Sequence, residues 1–401
     1  MNTRLIVITL FFGAFVANMN AFALGPFLAL IADDIDSTAP IVGQAVTAAL
    51  IAGAVFGLVL GPMGDHYGLR RLLFCAALLA AASGVGTSLV FNFWSLVLTR
   101  IPGGIAAGMI LGLGISIINT RIPEEERRSA IAWVASAGAL AAIFGVPLLA
   151  LIGDQLSWRA GFWLIGFLAL VLSIAYLRLV TPDPPVPDEQ FQLSGIFGTY
   201  REILKDTRMT GLQIGNLLWS LVWIGTLTYF GAYLIQEMGV AVSTVGYLYM
   251  LGGACFFLGT RAAVRLGEVW SLQSVMIPTG FILGMAVMFI YSVSTTMAAV
   301  AIAVALLAAA GGIGLPAITI LISETATGAH GTVMMLRQFT WGIGSALGAA
   351  SGGVLLALGG YTALGAGFAV IALLAVSSVL IALRPVTDNR PHPAASQDQP
   401  G

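Results

Sequence analysis

The chain has 401 residues, 58% of them apolar and only 9% charged, with 17 Lys plus Arg against 18 Asp plus Glu. Soluble globular domains carry about 25% charged residues. At a mean hydropathy of +0.97, a soluble enzyme, a nucleic-acid binder and a disordered chain are excluded, and a lipid bilayer becomes the expected solvent.

Crossing ~30 Å of hydrocarbon at 1.5 Å per residue takes about 20 apolar residues. Twelve such runs occur, at 5–31, 41–62, 72–91, 95–120, 127–153, 160–180, 210–236, 242–266, 270–292, 297–322, 331–356 and 361–383. A lipid-exposed strand edge leaves its backbone unsatisfied, and alternation of period two is absent. The expected fold is an all-α integral membrane protein with twelve transmembrane helices. In the first run, Ala21-Phe22-Ala23 resembles a signal-cleavage site, but the apolar stretch is long for a signal peptide and only Arg4 precedes it.

Lys and Arg placement sets the expected orientation. With a cytoplasmic N-terminus, the inner loops and tails hold Arg4, Arg70, Arg71, Arg121, Arg127, Arg128, Arg178, Arg201, Lys205, Arg208, Arg261, Arg265, Arg384 and Arg390, while the outer loops hold Arg159. Both termini are therefore expected inside a multi-pass protein of the plasma (inner) membrane. The Pro-rich stretch 181–209 divides the chain into six spans and six. This predicts an N-terminal six-helix bundle over 1–180, a cytoplasmic linker over 181–209, a C-terminal bundle over 210–384 and a disordered tail over 385–401. A shift of 199 residues superposes Gly68, Gly112, Gly145 and Gly153 on Gly267, Gly311, Gly344 and Gly352, a weak repeat that fits duplication.

Motifs follow in chain order. After span two comes Gly61-Pro-Met-Gly64-Asp65-His-Tyr-Gly68-Leu-Arg70-Arg71, where glycines permit a tight turn and Asp65 can sit at a helix end or pair with arginine. Span four carries Arg100-Ile-Pro-Gly-Gly104-Ile-Ala-Ala-Gly108. A charge there costs at least ~2.5 kcal/mol on insertion scales, so it faces a cavity or a partner unless it snorkels to the nearer interface. Span five reads Gly138 to Gly145-Val-Pro147, followed by Trp158-Arg159-Ala-Gly-Phe. Small residues there allow close packing, and Pro147 predicts a kink.

The loop is similar to the G-x-x-x-D-x-x-G-R-K-R signature of the major facilitator superfamily, departing at Leu69. Span four matches that family's R-x-x-x-G-x-x-x-G, and span five resembles the form in its twelve-span drug–proton antiporter and metabolite-efflux branch, departing at Val146 and at Leu148 to Ala150. The resemblance implies the major facilitator fold of two six-helix bundles. It also implies a gating loop at Gly61, Gly64, Asp65, Gly68, Arg70 and Arg71, and a part for Arg100 in proton coupling or cavity electrostatics.

Polar and aromatic residues deep in the spans are the cavity candidates: Asn18, Asn20, Gln44, Asn216, Trp219, Trp223, Tyr229, Tyr247, Gln338 and Trp341. Amides in lipid need partners and should face inward, although an aromatic stripe also serves packing or an interface belt. No Asp or Glu occupies mid-span, which leaves Asp33, Asp34, Asp154 and Arg100 as coupling candidates. That absence argues against a cationic substrate and for a neutral or anionic one. His66, His330 and His392 are scattered, and Cys75 and Cys255 sit in apolar runs as small buried hydrophobes, so no metal site or cofactor is called for.

The leading expectation is a monomeric secondary transporter working by alternating access, exporting a small organic molecule in exchange for protons. Import or uniport of a neutral or anionic metabolite is the runner-up. An integral-membrane enzyme, the alternative class, lacks a nucleophile–base pair or metal cluster, and a primary pump lacks a phosphate loop. If Asp65 gates, Asp65→Asn lowers the transport rate while the protein still reaches the membrane at wild-type amounts; unchanged transport removes the gating role.

Overall fold

The computed structural model describes residues 3–180, 200–292, 296–326 and 330–383, without the side chains of 58–66, 128, 264, 330 and 331. The tail expected over 385–401 and the linker as far as residue 199 lie outside the described residues, and of Gly61, Gly64 and Asp65 only the backbone is described.

Among the described residues, eleven helical stretches are long and apolar enough to cross a bilayer. The last, within His330–Ala382, breaks at Gly359 (φ −149°) and Gly360 (φ 65°). The second of these angles strains any side chain with a Cβ, so this run holds two crossings and the total is twelve. The others are Ala39–Tyr67 (span two), Leu69–Ser88 (three), Phe93–Arg121 (four), Trp158–Leu179 (six), Thr207–Gln236 (seven), Val242–Val269 (eight), Leu272–Ser292 (nine) and Met297–Thr325 (ten).

Two spans are interrupted. Span one, expected as a continuous helix, is Thr3–Phe22 followed by Leu24–Asp34. Pro26 has no N–H to offer the Phe22 carbonyl, which accounts for a break one turn before it. Span five is Glu124–Leu140 and Val146–Gln155 joined by a π-helical turn, Ala141–Gly145. The kink expected at Pro147 takes this form because a wide turn accommodates the carbonyl that the proline leaves without a donor.

Spans one, four, five and six pack together, as do two with four and three with four and six. In the second half, seven packs on the eleven–twelve run, eight on ten, and nine on ten and twelve. Contacts between the halves join spans one and seven, two and eleven, and five and eight. Phe12, Trp94, Leu98, Phe167 and Ile174 are exposed, as a bundle solvated by hydrocarbon requires. Cys75 belongs to this outward set and Cys255 is partly exposed, so neither is the buried hydrophobe expected; in lipid an outward thiol costs no more than an inward one.

Span four lies on span two through small residues. A Cβ on Gly104 would stand 1.8 Å from the Ala49 carbonyl oxygen, whereas a Cβ on Gly57 would meet nothing within 4 Å. Since backbone cannot yield as a side chain does, Gly104→Val should lose about 3 kcal/mol or more. Gly57→Ala should be neutral or stabilising by up to about 1 kcal/mol. Thermal unfolding of the two purified variants in one detergent checks the pair.

Candidate functional site

The side of the bundle where Arg70, Arg71, Arg121, Arg178 and Arg265 cluster is here the basic side, and the side with Asp33, Asp34, Asp154 and Arg159 the far side. Arg100 is the eighth residue of its helix, roughly 10 Å in from the far end at 1.5 Å per residue. It is 3% exposed. Its Nη1 donates to Asn20 Oδ1 at 2.7 Å and its Nη2 to the Asn20 carbonyl at 2.8 Å. The Phe162 ring lies 5.7 Å below the guanidinium, and Nε has no partner. The arginine is thus turned into the bundle, against the break in span one, and holds no carboxylate.

The three acids proposed for coupling lie at the far end. Asp34 pairs with Arg159 at 2.5 Å, with side chains 43% and 34% exposed. Arg159 also donates to the carbonyls of Ser88 and Val90 at 2.9 Å each and stacks over Trp158. It therefore ties the ends of spans one, three and six, a role its place in an outer loop did not suggest. Asp33 and Asp154 are exposed. On the basic side, Gly68 adopts φ 87° as the N-cap of span three, the turn expected of it. Arg70 donates to the Leu177 carbonyl at the end of span six, and Arg71 is exposed.

The halves meet towards the far side. A Cβ on Gly231 of span seven would lie 2.3 Å from the Gly25 carbonyl of span one; Gly246 of span eight sits against Pro147 and Ala150, and Gly253 against Ala142 and Ile143. Gly145 lies on Met19 and Phe15, and Gly138 beside Asn18, so this stretch of span five packs on span one as well. Gly342 of span eleven faces Ala54 of span two, and Gly353 faces Gln44. A cavity of about 50 Å³ remains between the halves, lined by Gly25, Val46, Leu50, Leu227, Thr228 and Tyr249. Small-molecule sites start near 300 Å³, so the route is closed at this level.

Hydrogen bonds divide unequally across that seam. Within the second half, Asn216 donates to the Arg337 carbonyl and to Thr340 Oγ1, both at 2.9 Å, and Thr340 donates to Gln213 at 2.9 Å. Tyr229 donates to the Ala349 carbonyl and Tyr249 to that of Leu227, each at 2.7 Å. Between described residues of opposite halves there is one side-chain bond, from Gln44 to the Ala350 carbonyl, and it is 3.5 Å long.

The remaining candidates scatter. Asn18 bonds the Ala14 carbonyl of its own helix. Trp219 is fully buried against Gly314, Trp223 packs on Phe256, and Trp341 packs against the core. Tyr247 is 51% exposed; two residues on, and so roughly 200° around the helix, Tyr249 lines the cavity instead. Gln338 is exposed and, four residues from Gly342, shares the face that looks toward span two. Gln213, Thr340 and Tyr249 went unnoticed in the sequence; the spacing of Gln213 and Asn216 on one helical face is the signal that was there.

A family model described as the Major Facilitator Superfamily matches residues 10–336. The chain belongs to that superfamily. It is similar to a hexuronate transporter of Bacillus subtilis (strain 168), 25% identical over 92% of this chain and 93% of the relative. It is also similar to the putative transporter AraJ of Escherichia coli (strain K12), 23% identical over 94% of each. Among solved structures it resembles the nucleoside transporter NupG (TM-score 0.80, 14% identity, 94% of this chain and 100% of that one) and a D-xylose–proton symporter (0.77, 15%, 96% and 98%). At those identities the likeness is one of fold. The superfamily places the protein among multi-pass membrane transporters of small molecules and not among enzymes.

The Arg100 geometry makes a stability prediction. Asn20→Leu removes the side-chain acceptor and leaves the guanidinium only the backbone carbonyl at position 20, which should cost about 1.5–3 kcal/mol, the worth of a hydrogen bond to a charged group. Adding Arg100→Leu should restore part of it. If thermal unfolding finds Asn20→Leu as stable as wild type, the guanidinium reaches water or headgroups and the snorkelling account holds.

Proposed function

We propose that this protein is a secondary transporter that moves a small neutral or anionic organic molecule by alternating access, with the bundles 1–180 and 210–384 rocking about a central site. The observation that carries the reading is the division of hydrogen bonding among the described residues: strong bonds knit each half, and packing plus one long bond joins them. Such halves move as bodies, and the seam that closes the far side is made of contacts cheap to break. Far-side closure then corresponds to a state open toward the basic side. The positive-inside rule makes that side cytoplasmic, with both termini there, in the plasma (inner) membrane.

For direction, we propose export in exchange for protons. The span-five segment that resembles the antiporter signature is the one that packs on span eight, at a contact between the two bundles. Of the coupling candidates, Asp34 and Arg159 form a solvent-accessible ion pair at the far side. Import or uniport is favoured instead by the lack of a mid-span carboxylate among the described residues. Two deep cations, Arg100 and Arg337, with no acid paired to either among the described residues, favour an anion over a cation as cargo. The hexuronate transporter among the relatives fits that preference.

Inverted membrane vesicles energised to be acid inside, with a pH-sensitive dye, test the reading against a panel that includes hexuronates, neutral hexoses and an organic cation. Alkalinisation is expected on adding one anionic or neutral solute, and is expected to vanish in Arg100→Ala. Counterflow of a labelled solute without any pH response would replace proton-coupled export by uniport or import. A response to the cation alone would overturn the charge argument.

A further inference from the structure

Arg337 lies in span eleven, the eighth residue of a helix that starts at His330, roughly 10 Å in from the basic side at 1.5 Å per residue. Its backbone carbonyl is fixed by Asn216, and one turn on, Thr340 is held by Asn216 and Gln213 of span seven. Its side chain is partly buried, Nε is fully buried without a partner, and among the described residues neither a carboxylate nor a hydrogen-bond acceptor meets the guanidinium. Arg100, by contrast, has both Asn20 oxygens.

A cation taken out of water without a counter-charge is unstable unless something supplies one. Its neighbour Gln338 is exposed and makes no hydrogen bond with described residues. It sits one turn to the basic side of the Gly342–Ala54 contact, on the face that looks toward span two. A guanidinium lacking an acid and an amide lacking a partner are therefore adjacent where the seam between the bundles ends. The Asn216–Thr340–Gln213 network holds the backbone beneath them, as a binding point needs and a solvated surface arginine does not.

We infer that Arg337 and Gln338 form an anion-recognition point of the solute site. The guanidinium pairs with the carboxylate of an organic acid entering from the basic side, and the amide takes an adjacent oxygen. This rests on the transport reading above and narrows its substrate class to molecules bearing an oxyanion. A planar fork matches a carboxylate bidentately, and the pairing removes the uncompensated charge, so binding is expected to stabilise the protein.

The same oxyanion chemistry is offered by a lipid headgroup, and the experiment separates the two sources. The purified full-length chain in uncharged detergent is titrated with glucuronate, gluconate and acetate, and with glucose as uncharged counterpart, following thermal midpoint and tryptophan fluorescence. At least one carboxylate should stabilise the wild type and glucose should not. Arg337→Gln should weaken that binding about tenfold or more, the worth of one charge-assisted pair, and Arg337→Lys should recover part of it.

Gln338→Leu, at an exposed position, should weaken binding by a smaller factor and carries the test if Arg337→Gln does not fold. No carboxylate response in the wild type, or an equal one in Arg337→Gln and Gln338→Leu, overturns the inference. So does a response in nanodiscs to phosphatidylglycerol alone that depends on Arg337 and abolishes the effect of carboxylates, for then the anion is a headgroup. Counterflow in proteoliposomes is measured on the same preparation. Neutral-solute counterflow with no carboxylate binding removes this inference alone, and carboxylate binding without any counterflow removes the transport reading alone.

Discussion

Hydrocarbon offers no hydrogen bonds, and the rest of the structure follows from how this chain meets that condition. Backbone groups are satisfied inside helices, and among the described residues all but one of the side-chain hydrogen bonds between spans close within one half. Arg100 shows the condition at its most demanding. A guanidinium with no carboxylate in reach is held by two oxygens of one asparagine and by the face of Phe162. The carbonyl it uses lies three residues before the break in span one. Span one, span four and span six are locked together at that point, so the first bundle is fixed around a charge that a soluble protein would have left on its surface.

The second half meets the same condition with amides and hydroxyls. Asn216 and Gln213 reach across from span seven to Arg337 and Thr340, and Tyr229, Tyr249 and Tyr291 each donate to a buried carbonyl at 2.7 Å. Every one of these bonds closes within the half. In a medium where polar groups cannot find water, bonds that crossed the seam would each need a new partner whenever the seam opened. Confining them to one side removes that penalty, and leaves the seam to glycine-sized contacts whose loss costs only dispersion.

Span number and order were legible in the sequence because hydropathy reports whether a segment lies in the bilayer. Which way a residue faces was less legible. In a membrane bundle the lipid-facing and core-facing sides are both apolar, so periodicity carries little directional signal. That is why Cys75 was expected inside and is outside, and why Tyr247 was chosen where Tyr249 does the lining. Polar residues reduce this ambiguity without removing it: Asn20 and Asn216, expected inward because amides need partners, are buried and bonded, whereas Gln338, expected inward on the same ground, is exposed. Pro147 was readable as an irregularity, but the π turn before it was not, because proline announces a missing donor without saying how the chain absorbs it. Pro26 announced the same thing in span one and passed unread inside a long apolar run.

Arg337 was the most informative omission. In the sequence it lies seven residues into a span, close to the basic end, where an anchor and a buried charge look alike. What separates an anchor from a buried charge is the surroundings of the guanidinium, and those depend on residues more than a hundred positions away. Span seven supplies the bonds that hold the backbone at Arg337 and contributes no acid to neutralise it. The two arginines then differ in a way that matters for transport. Arg100, with both terminal nitrogens bonded to Asn20 and only Nε without a partner, belongs to the framework of its bundle. Arg337, with no carboxylate partner among the described residues, stands at the basic end of the seam, which is why the anion proposed for it would complete its surroundings on binding.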